Sequence, residues 1–177
     1  MIYKTKDITI RPFIKKDLNK DYLKWMHSSI VTRLNSHGNF PIYKNDIRDF
    51  IDSIISKERI VWSIFYKRKY IGNASLQAFN WIDRNAEVAI LIGDKKSWGK
   101  NIGEIVIDML FHHGFNKLNL HKIYLGTAES NIGMIRIAEK LGMQLEGRLR
   151  NHVYLNGSYY DILRYGILKK EYISIEC

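Results

Sequence analysis

The sequence contains very little cysteine and proline. Its 177 residues include one cysteine, Cys177, and two prolines. A single cysteine cannot form an internal disulfide, which argues against a disulfide-stapled secreted scaffold and suits a reducing cytoplasm. No linker rich in Pro, Gly or Ser divides the chain, so we expect a single domain over residues 1–177.

Long apolar runs and several familiar ligand motifs are also missing. No stretch approaches the roughly 20 apolar residues of a membrane-spanning helix, so we expect no membrane partner. The first 13 residues alternate polar and apolar side chains, which is typical of a strand and not of a signal peptide. The sequence has no G-x-x-x-x-G-K-[ST] loop and no dinucleotide-binding G-x-G-x-x-G turn, which argues against P-loop and dinucleotide sites. It also has no metal-ligand spacing, which argues against a metal site.

Positive charge is in excess. The formal net charge is +10 and the isoelectric point is near 9.6, which favours anionic partners such as phosphates, nucleotides, RNA or a membrane surface. The basic residues are scattered and form no long block. We therefore expect a phosphate-bearing small molecule, and not a nucleic acid, as the main anionic partner.

Hydrophobic periodicity predicts an α+β (mixed α/β) domain with one central, mostly antiparallel, twisted sheet flanked by helices. Ile8 to Phe13 is typical of a strand, and Asp17 is the predicted cap of a first helix. The nearly continuous apolar run Ala86 to Ile92 indicates a central strand. The dipeptide Asn156-Gly157 predicts a hairpin turn between the last two strands. The predicted order is β-α-α-β-β-β-α-β-α-β-β.

The stretch "SWGKNIGEIVIDML" places two glycines and an asparagine where a helix must begin. The first amides of a helix have no partners within it, and the helix dipole makes this end partly positive. Gly99 and Gly103 would keep side chains away from these amides, and Asn101 tolerates a positive φ. This stretch therefore indicates a phosphate site, although an ordinary turn also fits it.

Two segments resemble the GNAT acetyltransferases. "WGKNIGEIVIDML" is similar to the pyrophosphate-binding turn of that superfamily, [QR]-x-x-G-x-[GA], with Trp98 in the first position and Asn101 in place of the first glycine. "ESNIGMIRIAEKLGMQLEGRLR" resembles the N-x-x-S-x-[KR]-x-x-E-K-x-G-F-x-x-E-G segment of the RimJ/RimL type, with Met134 and Met143 departing from it. The order of strands and helices matches along almost the whole chain.

The resemblance implies transfer of an acetyl group from acetyl-CoA to an amine. A backbone amide of the central strand would face the thioester carbonyl, and Asn131 would contact the pantetheine arm or simply cap its helix. The cofactor-binding residues that the resemblance implies are Leu91, Ile92, Ser97, Trp98, Gly99, Lys100, Asn101, Ile102, Gly103, Glu104 and Asn131.

Glu87 is the candidate catalytic base, because the superfamily commonly uses a carboxylate and an alkylamine is mostly protonated at neutral pH. A structural ion pair is the alternative role for Glu87. Many GNAT enzymes have a tyrosine that protonates the leaving thiolate, but Ala138 stands at that position, so water is the expected proton donor. Candidate residues of the acceptor pocket are Trp25, Trp81, His152 and Tyr154, each of which could also be a core or surface residue.

The acceptor is predicted to be a small-molecule amine, such as an amino sugar on a nucleotide, whose phosphates suit the positive charge. The N-terminal amine of a ribosomal or other protein is the alternative acceptor. A polyamine is less expected, because a polycation needs an acidic pocket. A different class of function, a non-catalytic acetyl-CoA sensor or RNA-associated module, also fits the departures at Asn101 and Ala138. A homodimer is possible.

Overall fold

A computed structural model describes residues 1–35, 43–55 and 57–174. Cys177, the only cysteine, lies outside the described residues. In the described part of the chain, eight strands form one sheet in the order β1-β2-β3-β4-β5-β6-β8-β7. The strands are β1 (Tyr3–Lys4), β2 (Ile8–Pro12), β3 (Arg59–Tyr66), β4 (Lys69–Asn80), β5 (Asn85–Ile92), β6 (Lys122–Ala128), β7 (Gln144–Leu155) and β8 (Ser158–Leu168).

All neighbouring strands run antiparallel except β5 and β6, which are parallel. This confirms the predicted mixed α/β class with a mostly antiparallel central sheet. The Asn156-Gly157 turn joins β7 to β8, with both residues at positive φ (50° and 89°), as its sequence predicts.

Helices cover both faces of the sheet. The helices of the described chain are α1 (Lys20–Met26), α2 (Ser29–Thr32), α3 (Lys44–Ile55), α4 (Ile102–Asn116) and α5 (Ile132–Lys140). Trp62 of β3 packs against His113 of α4, with ring centroids 4.9 Å apart. The next residue, Ser63, donates to Asp17, which lies just before α1. Because successive strand residues point to opposite faces, α4 and the N-terminal helical region lie on opposite sides of the sheet.

Asn19, and not Asp17, caps α1. The Asn19 side chain accepts hydrogen bonds from the amides of Asp21 and Tyr22. Asp17 is buried and accepts two hydrogen bonds from the Arg11 guanidinium, at 2.6 and 2.7 Å. Burial by itself raises the pKa of Asp17, but the hydrogen bonds to its carboxylate hold that pKa below its ordinary value.

His113 makes the stability of the fold depend on pH. It is 5% exposed, and its Nδ1 lies 2.8 Å from the Tyr3 hydroxyl. Burial, together with charge repulsion from the N-terminal amine, His112 and Lys117, lowers the pKa of His113 to about 4. The unfolded chain therefore binds a proton near its ordinary pKa of about 6.5, whereas the folded chain does not until about pH 4.

We expect the contribution of neutral His113 to the stability of the folded state to be complete above about pH 6.5 and to be lost as the pH falls towards 4. The expected decrease in the free energy of unfolding is about 2 kcal/mol between pH 7 and pH 5. Urea unfolding at several pH values measures it. His113→Gln should flatten this part of the profile, while His112→Gln should leave it in place. An identical slope in His113→Gln would contradict the assignment to His113.

Candidate active site

A cleft opens where β5 and β6 separate. β5 pairs with β4 up to Gly72↔Ile92, but its parallel pairing with β6 ends at Glu87↔Tyr124. Both strands continue beyond this point, and the residues of both line a cleft of about 1500 Å³. A pocket for one drug-sized ligand measures about 300–1000 Å³, so this cleft is larger than such a pocket. The divergence also leaves one backbone edge of β5 without a strand partner.

The N-terminus of α4 points into the same cleft. Asn101 is its N-cap residue, with a left-handed backbone (φ 57°) and no side-chain capping hydrogen bond. Gly99 also has a positive φ of 73°, and a Cβ atom there would meet open space. The first amides of α4 are therefore uncapped at an exposed turn, which is the arrangement that a phosphate group requires. Lys100 is exposed at this turn, and its Nζ lies 5.1 Å from the centre of the Tyr66 ring.

Two predicted cofactor residues shape the turn through their side chains. Ser97 is 3% exposed, and its hydroxyl donates to Asp94 at 3.0 Å. The Trp98 indole donates to the carbonyl of Ile92 at 2.8 Å, which occupies one of the free backbone groups at the end of β5. Both side chains line the cleft, and both hold the turn against neighbouring backbone.

The glycine at position 103 lines the cleft and also lies against α5. A Cβ atom at Gly103 would lie 2.9 Å from Cδ1 of Ile137, so the missing side chain allows α4 to approach α5. Ile102 is 1% exposed, and its side chain belongs to the hydrophobic core. Glu104 forms an ion pair with Lys140 at 2.9 Å, which offsets the carboxylate at the α4 end of the cleft.

Asn131 caps α5. Its Oδ1 accepts from the amide of Met134 at 3.3 Å, and the residue also lines the cleft. Capping is therefore one role of this side chain, and its contact with pantetheine stays a prediction. Ala138, on the same helix, is fully buried. A methyl group occupies the position at which the superfamily often has its proton-donating tyrosine.

Glu87 lies where the two strands begin to diverge. Its Oε2 accepts from the side-chain amide of Gln77 at 3.2 Å, and its Oε1 lies 3.9 Å from Nη1 of Arg164. The side chain is 26% exposed and lines the cleft. Burial and the nearby Glu87 carboxylate raise the pKa of Tyr124. Glu87 therefore has a long ion pair with Arg164 and also access to the cleft. This environment fits the predicted catalytic base and the alternative structural role.

The four predicted acceptor-pocket residues do not come together in the cleft of the described chain. Trp25 packs against Tyr70 at 5.1 Å and leaves no room for a side chain at Gly93. Trp81 is 55% exposed and stacks on Phe79 in the turn after β4.

The other two predicted pocket residues lie on β7, the edge strand of the sheet. His152 is exposed, and Tyr154 is 54% exposed and contacts Tyr159. A hairpin places alternate residues on opposite faces, so its sequence does not tell which side chains reach the cleft. Val153, the residue between them, is the one that lines it.

Three residues that the sequence analysis missed line the cleft beneath α1 and α3. Tyr22 and Phe50 stack with ring centroids 6.4 Å apart, and the Arg59 guanidinium carbon lies 5.7 Å from the centre of the Phe50 ring. They belong to three separate elements, and no sequence spacing connects them. Of the three, only Arg59 has a feature in the sequence that could have indicated a functional role. It is a charged residue at the beginning of a mostly apolar strand.

Residues 1–35, 43–55 and 57–174 contain no cluster of three or more His, Cys, Asp or Glu side chains that could hold a metal ion. No helix in these ranges has the length and apolar character needed to cross a membrane.

The strand divergence and the uncapped helix define an acetyltransferase fold. The family model for the acetyltransferase (GNAT) domain matches residues 7–144, so the chain belongs to the GNAT family. This confirms the family predicted from the two motifs, while the RimJ/RimL type stays a prediction.

Individual relatives narrow the comparison. The chain is 34% identical to spermidine N(1)-acetyltransferase of Vibrio cholerae over 108 residues, covering 61% of this chain and 62% of that protein. It is 28% identical over 109 residues to a Bacillus subtilis protein whose name proposes a ribosomal N-acetyltransferase, covering 62% of this chain and 59% of that protein. The aligned part thus spans less than two thirds of these curated relatives.

Comparison of structures covers more of the chain. The crystal structure of spermidine N-acetyltransferase from Vibrio cholerae, in complex with CoA and spermine, superimposes with a TM-score of 0.83 and 25% identity. The superposition covers 95% of this chain and 99% of that one. The fold is therefore shared over the part of the chain that superimposes.

Proposed function

We propose that this protein transfers the acetyl group of acetyl-CoA to a primary amine of a small molecule. The observation that carries the proposal is the cleft between β5 and β6, with the uncapped N-terminus of α4 at one end. Membership of the GNAT family supports it, as does the complex of the Vibrio cholerae relative with CoA. The predicted cosubstrate, acetyl-CoA, is the one that this family and this relative support.

The residues at the mouth of α4 fit a diphosphate. The amides of Ile102, Gly103 and Glu104 would donate to it, and Lys100 would add charge from the exposed turn. The positive φ of Gly99 and Asn101 turns the chain so that these amides face outward. Acetyl-CoA supplies an acetyl group activated as a thioester.

The chain's own groups would then act on the amine and on the thioester carbonyl. A backbone N–H near Leu91 or Ile92, on the free edge of β5, would donate to the carbonyl oxygen, where negative charge develops. Glu87 would take the proton of the amine, directly or through water. The C–N bond forms, the C–S bond breaks, and the thiolate takes a proton from water, because Ala138 has none to give.

The identity of the amine rests on two opposing observations. The Vibrio cholerae relative is named for spermidine, and its solved structure contains spermine, which favours a polyamine. Away from the α4 end proposed for the diphosphate, however, the described cleft lining has no excess of carboxylates over cations, which disfavours a polycation. The amino-sugar nucleotide stays the predicted acceptor. The cations are Arg33, Arg59, Lys100, Arg136 and Lys140, and the carboxylates are Asp46, Glu87 and Glu104. The spermidine relatives make a protein N-terminus and a non-catalytic sensor less favoured alternatives.

Release of free thiol from acetyl-CoA tests the activity. We expect release with at least one small-molecule amine from a panel containing spermidine, glucosamine, glucosamine 6-phosphate and an amino-sugar nucleotide. CoA at 100 times its Kd should add about 2.7 kcal/mol of stability, a rise in Tm of about 5–10 °C for a protein of this size. Tm stabilisation without thiol release on any amine would favour a sensor, and no stabilisation would contradict both functions.

A further inference from the structure

A row of polar side chains crosses the floor of the cleft. Arg59 of β3 lies opposite Gln77 of β4, and Gln77 lies opposite Glu87 of β5. Directly opposed residues of paired strands project from the same face of the sheet, so all three point to the same side. Glu87, the candidate base, is two strand spacings from Arg59, which is about 10 Å between their backbones.

Arg59 is the member of this row whose charge is not matched. No carboxylate of the described residues lies within ion-pair distance of its guanidinium, and its Nε is buried without a hydrogen-bond partner there. Its guanidinium carbon lies over the ring of Phe50, 5.7 Å from the ring centre, and this contact supplies no hydrogen-bond acceptor. A buried donor without an acceptor costs free energy, so this arrangement is explained if an acceptor arrives with a ligand.

The carboxylates that line the cleft already have other partners. Asp46 accepts from the amide of Tyr43 at 2.6 Å, Glu87 is held by Gln77, and Glu104 pairs with Lys140. None of these carboxylates is paired with Arg59. A neutral ligand would supply an acceptor without negative charge, and a cationic ligand would add repulsion, so neither would match the charge of Arg59.

We propose that Arg59 binds a carboxylate or phosphate group of the acceptor, so that the acceptor is an amine that also carries an anion. The guanidinium edge suits both anions, because either can accept two parallel N–H bonds. The distance between Arg59 and Glu87 places the anion several bonds from the reacting amine and not on the adjacent carbon. Tyr22 and Phe50 provide an aromatic wall for the part of the molecule that joins the two groups. This inference rests on the proposed acetyl transfer to an amine.

Matched pairs of acceptors test it through kcat/KM for thiol release. The pairs are glucosamine with glucosamine 6-phosphate, and 1,6-diaminohexane with 6-aminohexanoate, so that phosphate and carboxylate are tested separately. The wild-type protein should prefer the anionic member of at least one pair. Arg59→Gln should lower kcat/KM for that member about 10- to 100-fold, mainly through KM, and change the neutral or cationic member less than about 3-fold.

Arg48→Gln is the matched control. Arg48 is exposed on α3 and is not among the described residues that line the cleft, so this variant removes the same charge without touching the site. It should behave as the wild type, and Arg59→Gln should keep the stabilisation by CoA. Equal loss on both members of each pair, or a wild-type preference for the cationic members, would overturn the inference while leaving acetyl transfer intact. No thiol release with any amine would contradict the proposed function and the inference with it.

Discussion

Glu87→Gln is expected to lower kcat at pH 7 by about 100-fold or more, because a positioned general base contributes about 10²- to 10⁴-fold. Glutamine has nearly the same shape, and its amide can still form a hydrogen bond with Gln77, so the local structure should persist. The defect should be largest at low pH and should shrink as the pH rises towards 10, where the free amine loses its proton without help. Stopped-time assays of kcat between pH 6 and pH 10 measure this profile.

Glu58→Gln is the matched control for this prediction. Glu58 is an exposed carboxylate that is not among the described residues lining the cleft, and its loss should leave the pH profile unchanged. A decrease in kcat for Glu87→Gln that is the same at every pH would show that the carboxylate is only a structural partner of Arg164 and Gln77.

The double variant Lys100→Glu/Asn101→Asp is expected to weaken CoA binding about 30- to 100-fold. It makes the turn before α4 more negative by three charges, next to the amides proposed to hold the diphosphate. Near the surface and at separations of several ångströms, the repulsion between one added negative charge and one phosphate charge is a fraction of a kcal/mol up to about 1 kcal/mol. Salt reduces this repulsion. Isothermal titration with CoA at two ionic strengths measures both the loss and its screening.

Folding should survive these changes, because an acidic residue near a helix N-terminus is stabilising. Asn101→Gly is the control, since glycine adopts the observed φ of 57° readily and adds no charge. It should bind CoA as the wild type does. Equal CoA affinity of the double variant and the control would place the diphosphate somewhere other than the mouth of α4. Gly103→Trp would be a poorer probe, because the indole would push α4 away from Ile137.

Much of the fold and the cofactor end of the site could be predicted from local sequence. The apolar run of β5, the Asn156-Gly157 turn and the helical spacing of α4 and α5 each report the geometry of a few neighbouring residues. The tolerance of Asn101 for a positive φ is also a local property, and the backbone adopts it. The start of α1 was mispredicted because Asp17 and Asn19 are both good capping residues. The hydrogen bonds from Arg11 on β2 and from Ser63, which is distant in sequence, hold Asp17 in the interior.

What the sequence by itself determined was the family, the order of elements and the turn that leaves helix amides uncapped. The tertiary structure alone decided which side chains face the cleft. It placed Trp25, Trp81 and Tyr154 elsewhere and brought Tyr22, Phe50 and Arg59 together from α1, α3 and β3. The reason is that a periodic pattern specifies which face of an element is apolar, whereas the partner of that face depends on strand order and register. These are set by packing between residues far apart in the chain.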